Sequence, residues 1–365
     1  MKELEVTVIT DFSVFETHAE EWNQLWSSMA HREIFGTFEW ARAWWKAFGD
    51  DCSLCTPVVR RHGEIIGILP LISQGKRLKF LGTGTKDYND LICPSGTTTT
   101  VLSAALQSLF NMPISWNLCF LEYLREDSYI AENIKLLPNE IRSHLHLTYC
   151  ATCSNIKFDA QGDILTNILK KKHLRRKENG LARLGTLQFH HIESRDEIKS
   201  HLPRLFDLDI ARCKLADRES IFHHDSMRDF YRNLVDELDP KEHLRFSILH
   251  TDEQTIAYHL GFELDGKFLA YKPVFDPDLA RLSPGEVLFK KMFEYAGSRQ
   301  LQSFDFTIGD EGFKSRFANE MYSSNHLYLF PHGITGKICR VCLQIKDEAK
   351  KHPRLYRMMK KLLRK

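Results

Sequence analysis

The chain has no apolar run long enough to span a bilayer. Its longest, Ile65 to Ile72, is broken by Gly67 and Pro70, far short of the roughly 20 residues that a membrane helix needs. The first residues, Met1-Lys2-Glu3-Leu4-Glu5, carry acid where a secretory leader has a basic region followed by an apolar one, so a cytoplasmic location is expected. Neither Gly-x-Gly-x-x-Gly nor Gly-Lys-Ser/Thr occurs at a usable position, which removes ordinary NAD and ATP binding. Charge of one sign is missing too: 50 Lys and Arg stand against 48 Asp and Glu. The average therefore says little about partners, and distribution matters more. Three Cys-x-x-Cys pairs, Cys52/Cys55, Cys150/Cys153 and Cys339/Cys342, lie far apart and lack zinc-ribbon spacing or a thioredoxin-like unit. Reduced, mostly buried thiols are the expected reading, and no metal is expected.

What is present, 365 residues with 43% hydrophobic content, can bury one large or two medium cores, and the length favours two domains. In the C-terminal half, Leu244 to Leu249, Thr255 to Leu264 and Lys267 to Val274 read as strands, the last two joined by the hairpin signal Asp265-Gly266. A helix from about Pro284 to Ser298 and a strand around Phe304-Asp305-Phe306 follow. The N-terminal half repeats the grammar: Thr56 to Arg60, Glu64 to Ile72, Arg77 to Leu81, a helix near Val101 to Asn111, then Leu118 to Leu121. Amphipathic helical regions precede both, Glu20 to Phe48 with its tryptophans and Pro203 to Leu238; aromatic stripes at helical spacing usually face a core. The expected fold class is α/β (α+β), with tandem domains that are each a mixed, mostly antiparallel sheet flanked by helices. The expected division is 1–155, a linking basic helical segment 156–185, 186–335, and a basic amphipathic tail 336–365.

The candidate site lies between Phe275 and Phe317. A strand that breaks at a Pro-Gly loop and opens directly into a helix aims free N–H groups and the positive end of the helix dipole at one point, which suits a phosphate such as a coenzyme A pyrophosphate. The loop is Leu282, Ser283, Pro284, Gly285, Glu286, Val287 and Leu288. On the following strand Asp305 and Thr307 alternate with Phe304 and Phe306. Asp305 is expected to orient or deprotonate an acceptor, or to brace a local turn. Lys314 neutralises charge on donor or acceptor, or is an exposed lysine. His224, beside His223, is a base candidate or a helix-entry residue. Arg212, Phe313 and Tyr271 are substrate-binding candidates; Tyr271 alternates with Lys272, so that only one of the two faces a cleft.

Two basic clusters stand out, Lys170 to Lys177 and Arg354 to Lys365. The first reads as a solvated helix face or a phosphate contact. The second spaces Leu355, Met358, Met359, Leu362 and Leu363 as a basic amphipathic helix, either docked on protein or peripheral to an anionic membrane.

The ordered series Phe275-Asp276-Pro277, Leu282-Ser283-Pro284-Gly285, Phe304-Asp305-Phe306 and Gly309-x-x-x-Phe313-Lys314, with Gly63-x-x-x-Gly67 and Phe80-Leu81-Gly82 before it, resembles the CelD/BcsL-like (BioF2-like) acetyltransferases of the GNAT superfamily over about residues 10 to 320. The layout is also similar to the Fem-type peptidyltransferases, which take an aminoacyl group from transfer RNA. The first resemblance implies tandem GNAT-like domains with a degenerate N-terminal copy. It also implies acetyl-coenzyme A or another acyl-coenzyme A as donor, a small-molecule or glycan-precursor acceptor, and work in exopolysaccharide, cellulose or cell-envelope production. Carried over, Leu282 to Leu288 is its pyrophosphate loop, with amides near Ser283, Gly285 and Glu286 on the phosphates. The second implies transfer RNA as the partner instead. A third alternative is a non-catalytic regulator of a polysaccharide synthase.

Overall fold

A computed structural model describes residues 4–113, 115–309 and 311–350; the basic segment Arg354 to Lys365 lies outside them. The strands are β1 (Leu4–Ile9), β2 (Ser53–Leu54), β3 (Thr56–Arg61), β4 (Glu64–Ile68), β5 (Leu71–Gln74), β6 (Arg77–Phe80), β7 (Leu118–Arg125), β8 (Leu145–Lys157), β9 (Gln188–Ile192), β10 (Leu244–His250), β11 (Thr255–Leu264), β12 (Lys267–Phe275), β13 (Ser303–Ile308) and β14 (Glu320–Leu329). The helices are α1 (Phe12–Glu16), α2 (Ala19–Ser27), α3 (Phe38–Phe48), α4 (Thr98–Phe110), α5 (Tyr129–Asn133), α6 (Asn139–Arg142), α7 (Asp163–Leu169), α8 (Lys172–Leu181), α9 (Arg195–Leu215), α10 (Asp225–Glu237), α11 (Pro284–Ser298) and α12 (Ile334–Lys350).

Two compact units divide the chain: one from Met1–Arg32, Asp50–Cys150 and Ser323–Lys365, the other from Glu33–Gly49 and Ala151–Tyr322. The first contains an antiparallel sheet β1-β3-β4 and the order β2-β5-β6-β7-β14, in which only β6 and β7 run parallel. The second contains β8-β13-β12-β11-β10-β9, in which only β12 and β13 run parallel. In each unit a helix, α4 or α11, connects the parallel pair, as a crossover must. Each unit thus holds a mixed, mostly antiparallel sheet flanked by helices, to which the first adds the separate antiparallel β1-β3-β4.

Neither unit is one continuous stretch of chain. Trp22 and Trp26 of α2 are buried in the first unit, whereas α3 belongs to the second. There Trp40 meets Phe230, Phe262 and Tyr271, with ring centroids 5.5–5.8 Å apart. The basic segment folds as α7 and α8 within the second unit, where Leu174 and Leu181 join the core under α11.

The hairpin before the candidate site turns at Asp265 and Gly266, both with positive φ (49° and 71°), as a two-residue turn of this kind requires. Aromatic packing then fixes β13 on β12 and α11: Phe304 stacks on Phe268 at 5.1 Å and meets Phe293 edge-on at 4.7 Å.

Strands β9, β10 and β11 share a buried polar knot. Ser247 Oγ lies 2.9 Å from His191 Nδ1 and 3.3 Å from His259 Nδ1. Burial, reinforced by the His191 charge, lowers His259 to about 3 although the Leu269 carbonyl opposes it. Burial followed by Arg245 lowers His191 to about 4. The unfolded chain therefore takes up these protons first, so stability is complete above pH 6.5 and falls as the pH drops below it. Between pH 7 and 5 fully buried His259 is expected to remove about 2 kcal/mol, with His191 adding in the same direction. Burial raises the Asp90 carboxyl to about 7, so its protonation opposes this loss over the same range. The check is the difference in urea midpoint between wild type and His259→Leu; an undiminished acid slope in the variant contradicts it.

Helix α12 presents Ile334, Ile338, Val341 and Ile345, all exposed, along one face. No described helix is long and apolar enough to cross a membrane.

Candidate active site

The parallel pair in the second unit is paired for three residues only, Lys267–Leu269 against Ser303–Asp305. Strand β12 runs on to Phe275 and β13 to Ile308, so beyond Leu269 the two strands part. On that edge no strand pairs with residues 270–275 among the described residues. The parting has a local cause in β13. Thr307 takes φ 58°, in the left-handed region, and donates its backbone N–H to Asp305 Oδ1 at 2.7 Å. The register with β8 shifts at the same point. Asp305, 2% exposed, thus braces the kink that opens the strands. Backbone in this region is costly for a threonine and persists where its surroundings enforce it.

At the open end β12 leads into a 3-10 turn, Pro277–Leu282, capped by Asp276, whose carboxylate accepts the Asp278 N–H at 3.0 Å. Ser283 then takes φ 56° and starts α11, with Pro284 in the first turn, where proline's missing N–H costs nothing. The Ser283 amide bonds to Ala280 O at 3.0 Å and the Glu286 amide to Ser283 O at 3.1 Å. The Gly285 N–H has no acceptor among the described residues. Of the three amides expected at an anion, one is open. Gly285 is glycine for space: a Cβ there would stand 3.2 Å from Phe275 Cδ1.

Around this helix start lies a group of cations. Glu286 Oε1 accepts from Lys177 Nζ at 2.6 Å and Arg316 Nη2 at 3.0 Å, and its Oε2 lies 3.8 Å from His173 Nε2. Both of those last atoms are buried without a hydrogen-bond partner. Lys171 Nζ donates to Arg316 O at 2.7 Å and holds that loop in place. Burial alone would push the Glu286 carboxyl up, but the bonds from Lys177 and Arg316 outweigh it and hold the group below the usual glutamate range. Burial, aided by Lys177, Arg316 and Lys171, lowers His173 despite Glu286. The run Lys170 to Lys177 therefore contributes three side chains to the helix N-terminus. His173 and Lys177 stand four apart, on one face of α8; that spacing is the signal the sequence carries for the cluster, and it carries none for Arg316 or the carboxylate of Glu286.

The other expected residues separate. Lys314 is 6% exposed; it donates to Ile308 O at 3.1 Å and pairs with Glu311 at 2.8 Å, tying the segment after β13 to the strand end. Phe313 packs between Phe289 (5.0 Å) and Phe306 (6.2 Å). Arg212 donates to buried Asp209 at 2.8 Å and lies 5.9 Å over the Phe275 ring, with its Nε unpaired. Tyr271 joins Trp40, Phe35 and Tyr231, and Lys272 reaches the Phe222 ring beside Tyr231. Both therefore reach one aromatic cluster, and the strand's alternation does not divide them. His224 is exposed at the start of α10, without a side-chain cap bond. Among the described residues no group of three or more His, Cys, Asp or Glu stands ready for a metal, and the cysteines there are free thiols.

In fold the chain is similar to FemX, at 10% identity over 92% of this chain and 99% of that one, with a TM-score of 0.62. It is similar to the C-terminal domain of a putative lysylphosphatidylglycerol synthetase from Agrobacterium fabrum (11% identity, 86% and 91% covered, TM-score 0.53). A tandem GNAT protein from the clavulanic acid biosynthesis pathway matches at 11% identity, 89% and 98% covered, with a TM-score of 0.50. At such identities these likenesses concern the fold. No curated protein sequence matches the chain. Residues 170–315, which carry α8, the Leu282–Leu288 loop, Asp305 and Lys314, match the model of the acetyltransferase (GNAT) domain.

Proposed function

We propose that the second unit transfers an acyl group from an acyl-coenzyme A thioester, acetyl-coenzyme A being the simplest donor, to an amine or hydroxyl of a small-molecule or glycan-precursor acceptor. The observation that carries this reading is the open Gly285 N–H at the start of α11, ringed by Lys177, Arg316 and His173 beside the parted strands. Phosphates suit a helix start with added cations. A thioester arm laid along the unpaired edge of β12 meets backbone N–H groups able to take the negative charge that develops on its carbonyl oxygen. The acceptor's nitrogen or oxygen forms the new C–N or C–O bond, the C–S bond breaks, and the coenzyme A thiol leaves with the acceptor's proton. Work on exopolysaccharide, cellulose or another envelope precursor is the acceptor context that the family resemblance of the motifs implies.

Asp305 serves this site as a positioning residue in our reading, because its carboxylate holds the Thr307 turn. Asparagine keeps an oxygen for that N–H. Asp305→Asn is therefore expected to retain turnover within several-fold, while Asp305→Ala loses about 1–3 kcal/mol of stability through the orphaned amide. A loss of 10²–10⁴-fold in Asp305→Asn at unchanged stability would instead mark the carboxylate as the general base.

A second reading, aminoacyl transfer from transfer RNA, has the Lys171, His173, Lys177 and Arg316 cluster in its favour, since clustered cations also attract RNA phosphates. Filter retention of charged transfer RNA against a coenzyme A competitor separates the two. The acyl-coenzyme A reading predicts saturable coenzyme A binding that transfer RNA does not displace. Tight, stoichiometric retention of transfer RNA without coenzyme A binding contradicts it.

A further inference from the structure

The first unit places a lone lysine inside its own strand-to-helix loop. Lys86 is 5% exposed, and among the described residues its ammonium has no hydrogen-bond or ion-pair partner. A buried cation without a counter-charge costs several kcal/mol, so it calls for a reason.

The loop that carries it is closely fixed. Glu122 Oε1 accepts from the Thr83 hydroxyl and, at 3.1 Å, from the Gly84 N–H. Asn89 donates its backbone N–H to Tyr123 O at 3.1 Å and its Nδ2 to Glu122 O at 3.1 Å, leaving its own Oδ1 buried without a donor. Asp90 takes the N–H groups of Leu91 and Ile130 at 2.8 and 2.9 Å and that of Tyr129 at 2.6 Å. Gly82 takes φ 100°, and a Cβ on it would overlap the Lys86 side chain, so the loop is built to let this lysine lie across its backbone. Tyr123, on the facing strand, sits at φ 55°, a kink like that of Thr307.

The loop also has a counterpart. It follows β6, whose parallel pairing with β7 lasts only from Arg77–Lys79 against Leu118–Phe120, and it precedes the crossover helix α4. In the second unit that same place is the Leu282–Leu288 loop. Here α4 opens after Pro94-Ser95-Gly96, through a 3-10 turn from Ser95 to Thr97, and the buried amine lies in the stretch between β6 and that turn.

We propose that Lys86 anchors an oxyanion-binding site in the first unit, taking the carboxylate or phosphate group of a small ligand. The ligand supplies the counter-charge that the protein withholds. Burial lowers the amine to about 7, so a bound anion also restores its proton and the site is strongest below neutrality. The inference does not depend on the acyl donor.

The test is the thermal midpoint in sodium chloride, inorganic phosphate and acetate at equal ionic strength, at pH 6.5 and pH 9, for the wild type and Lys86→Met. Phosphate, acetate or both are expected to raise the wild-type midpoint by roughly 2–5 °C at pH 6.5, and the rise fades at pH 9. The Met variant, which buries an apolar chain of similar length, is expected to melt no lower than the wild type in chloride and to lose that rise. A response to acetate alone identifies a carboxylate ligand, and one to phosphate a phosphate ester. Because α11 offers phosphate a place in the second unit, the difference between wild type and variant is what counts. Equal responses in both proteins, or no wild-type response beyond chloride, overturn the proposal. If Lys86→Met does not fold, acetic anhydride labelling of wild-type Lys86, read by mass spectrometry at pH 7.5, decides. Slower labelling in phosphate or acetate than in chloride upholds the site, and equal labelling in all three overturns it.

Discussion

Lys177→Met combined with Arg316→Met is expected to weaken coenzyme A binding about 100-fold. Each cation now bonds to the Glu286 carboxylate at the start of α11, and each is part-exposed, so a loss of about 1–2 kcal/mol per charge-assisted bond is appropriate rather than the full buried value. Two such losses make roughly two decades in affinity. The carboxylate competes with the donor's phosphates for the same cations, so Glu286→Gln is expected to tighten binding several-fold. Calorimetric titration with coenzyme A reads both. If Glu286→Gln weakens binding as much as the double variant does, the cluster only braces the loop.

Phe304→Ala is expected to cost about 3–5 kcal/mol. The ring is fully buried and packs on Phe268, Phe293, Phe289 and Phe306 at 4.7–6.2 Å, and it stands at the last parallel-paired stretch before the strands part. The cavity it leaves cannot collapse without moving α11 against the sheet. A fall of roughly 6–15 °C in thermal midpoint follows. A fall of 1–2 °C would mean that β13 does not hold α11 in the register described.

These sites differ in how far the sequence announces them. Strand β12 and helix α11 are legible because local chemistry marks their ends: Asp265-Gly266 requires positive φ, and Pro284 starts a helix that keeps its apolar face through Ala296. The doubling of the strand-helix-strand unit is legible for the same reason. The allocation of α3 is not. A tryptophan stripe says that a helix buries one face, but not against which sheet, and Trp40 turns out to meet Phe262 and Tyr271 of the second unit. The cation group around Glu286 joins residues 173, 177, 286 and 316, a set that only the tertiary fold assembles. Lys314 and Lys86 fail from the opposite direction. Each is a lysine in a polar stretch, where exposure is the ordinary expectation, and each is buried because a glycine yields space to it, Gly309 and Gly82 respectively. For Asp305 the sequence leaves catalysis and turn bracing open, and the Thr307 kink that it holds is not legible, because threonine does not announce a positive φ.

The central claim is that the helix start at Ser283–Glu286 receives the donor. The most direct measurement is the thermal midpoint with free coenzyme A, acetyl-coenzyme A and a longer acyl-coenzyme A, beside a Gly285→Trp variant whose ring fills the space against Phe275. The account predicts a rise with all three, about 2.7 kcal/mol of stabilisation at a hundredfold excess over Kd, abolished in the variant. No shift with any of them, or equal shifts in both proteins, would contradict it.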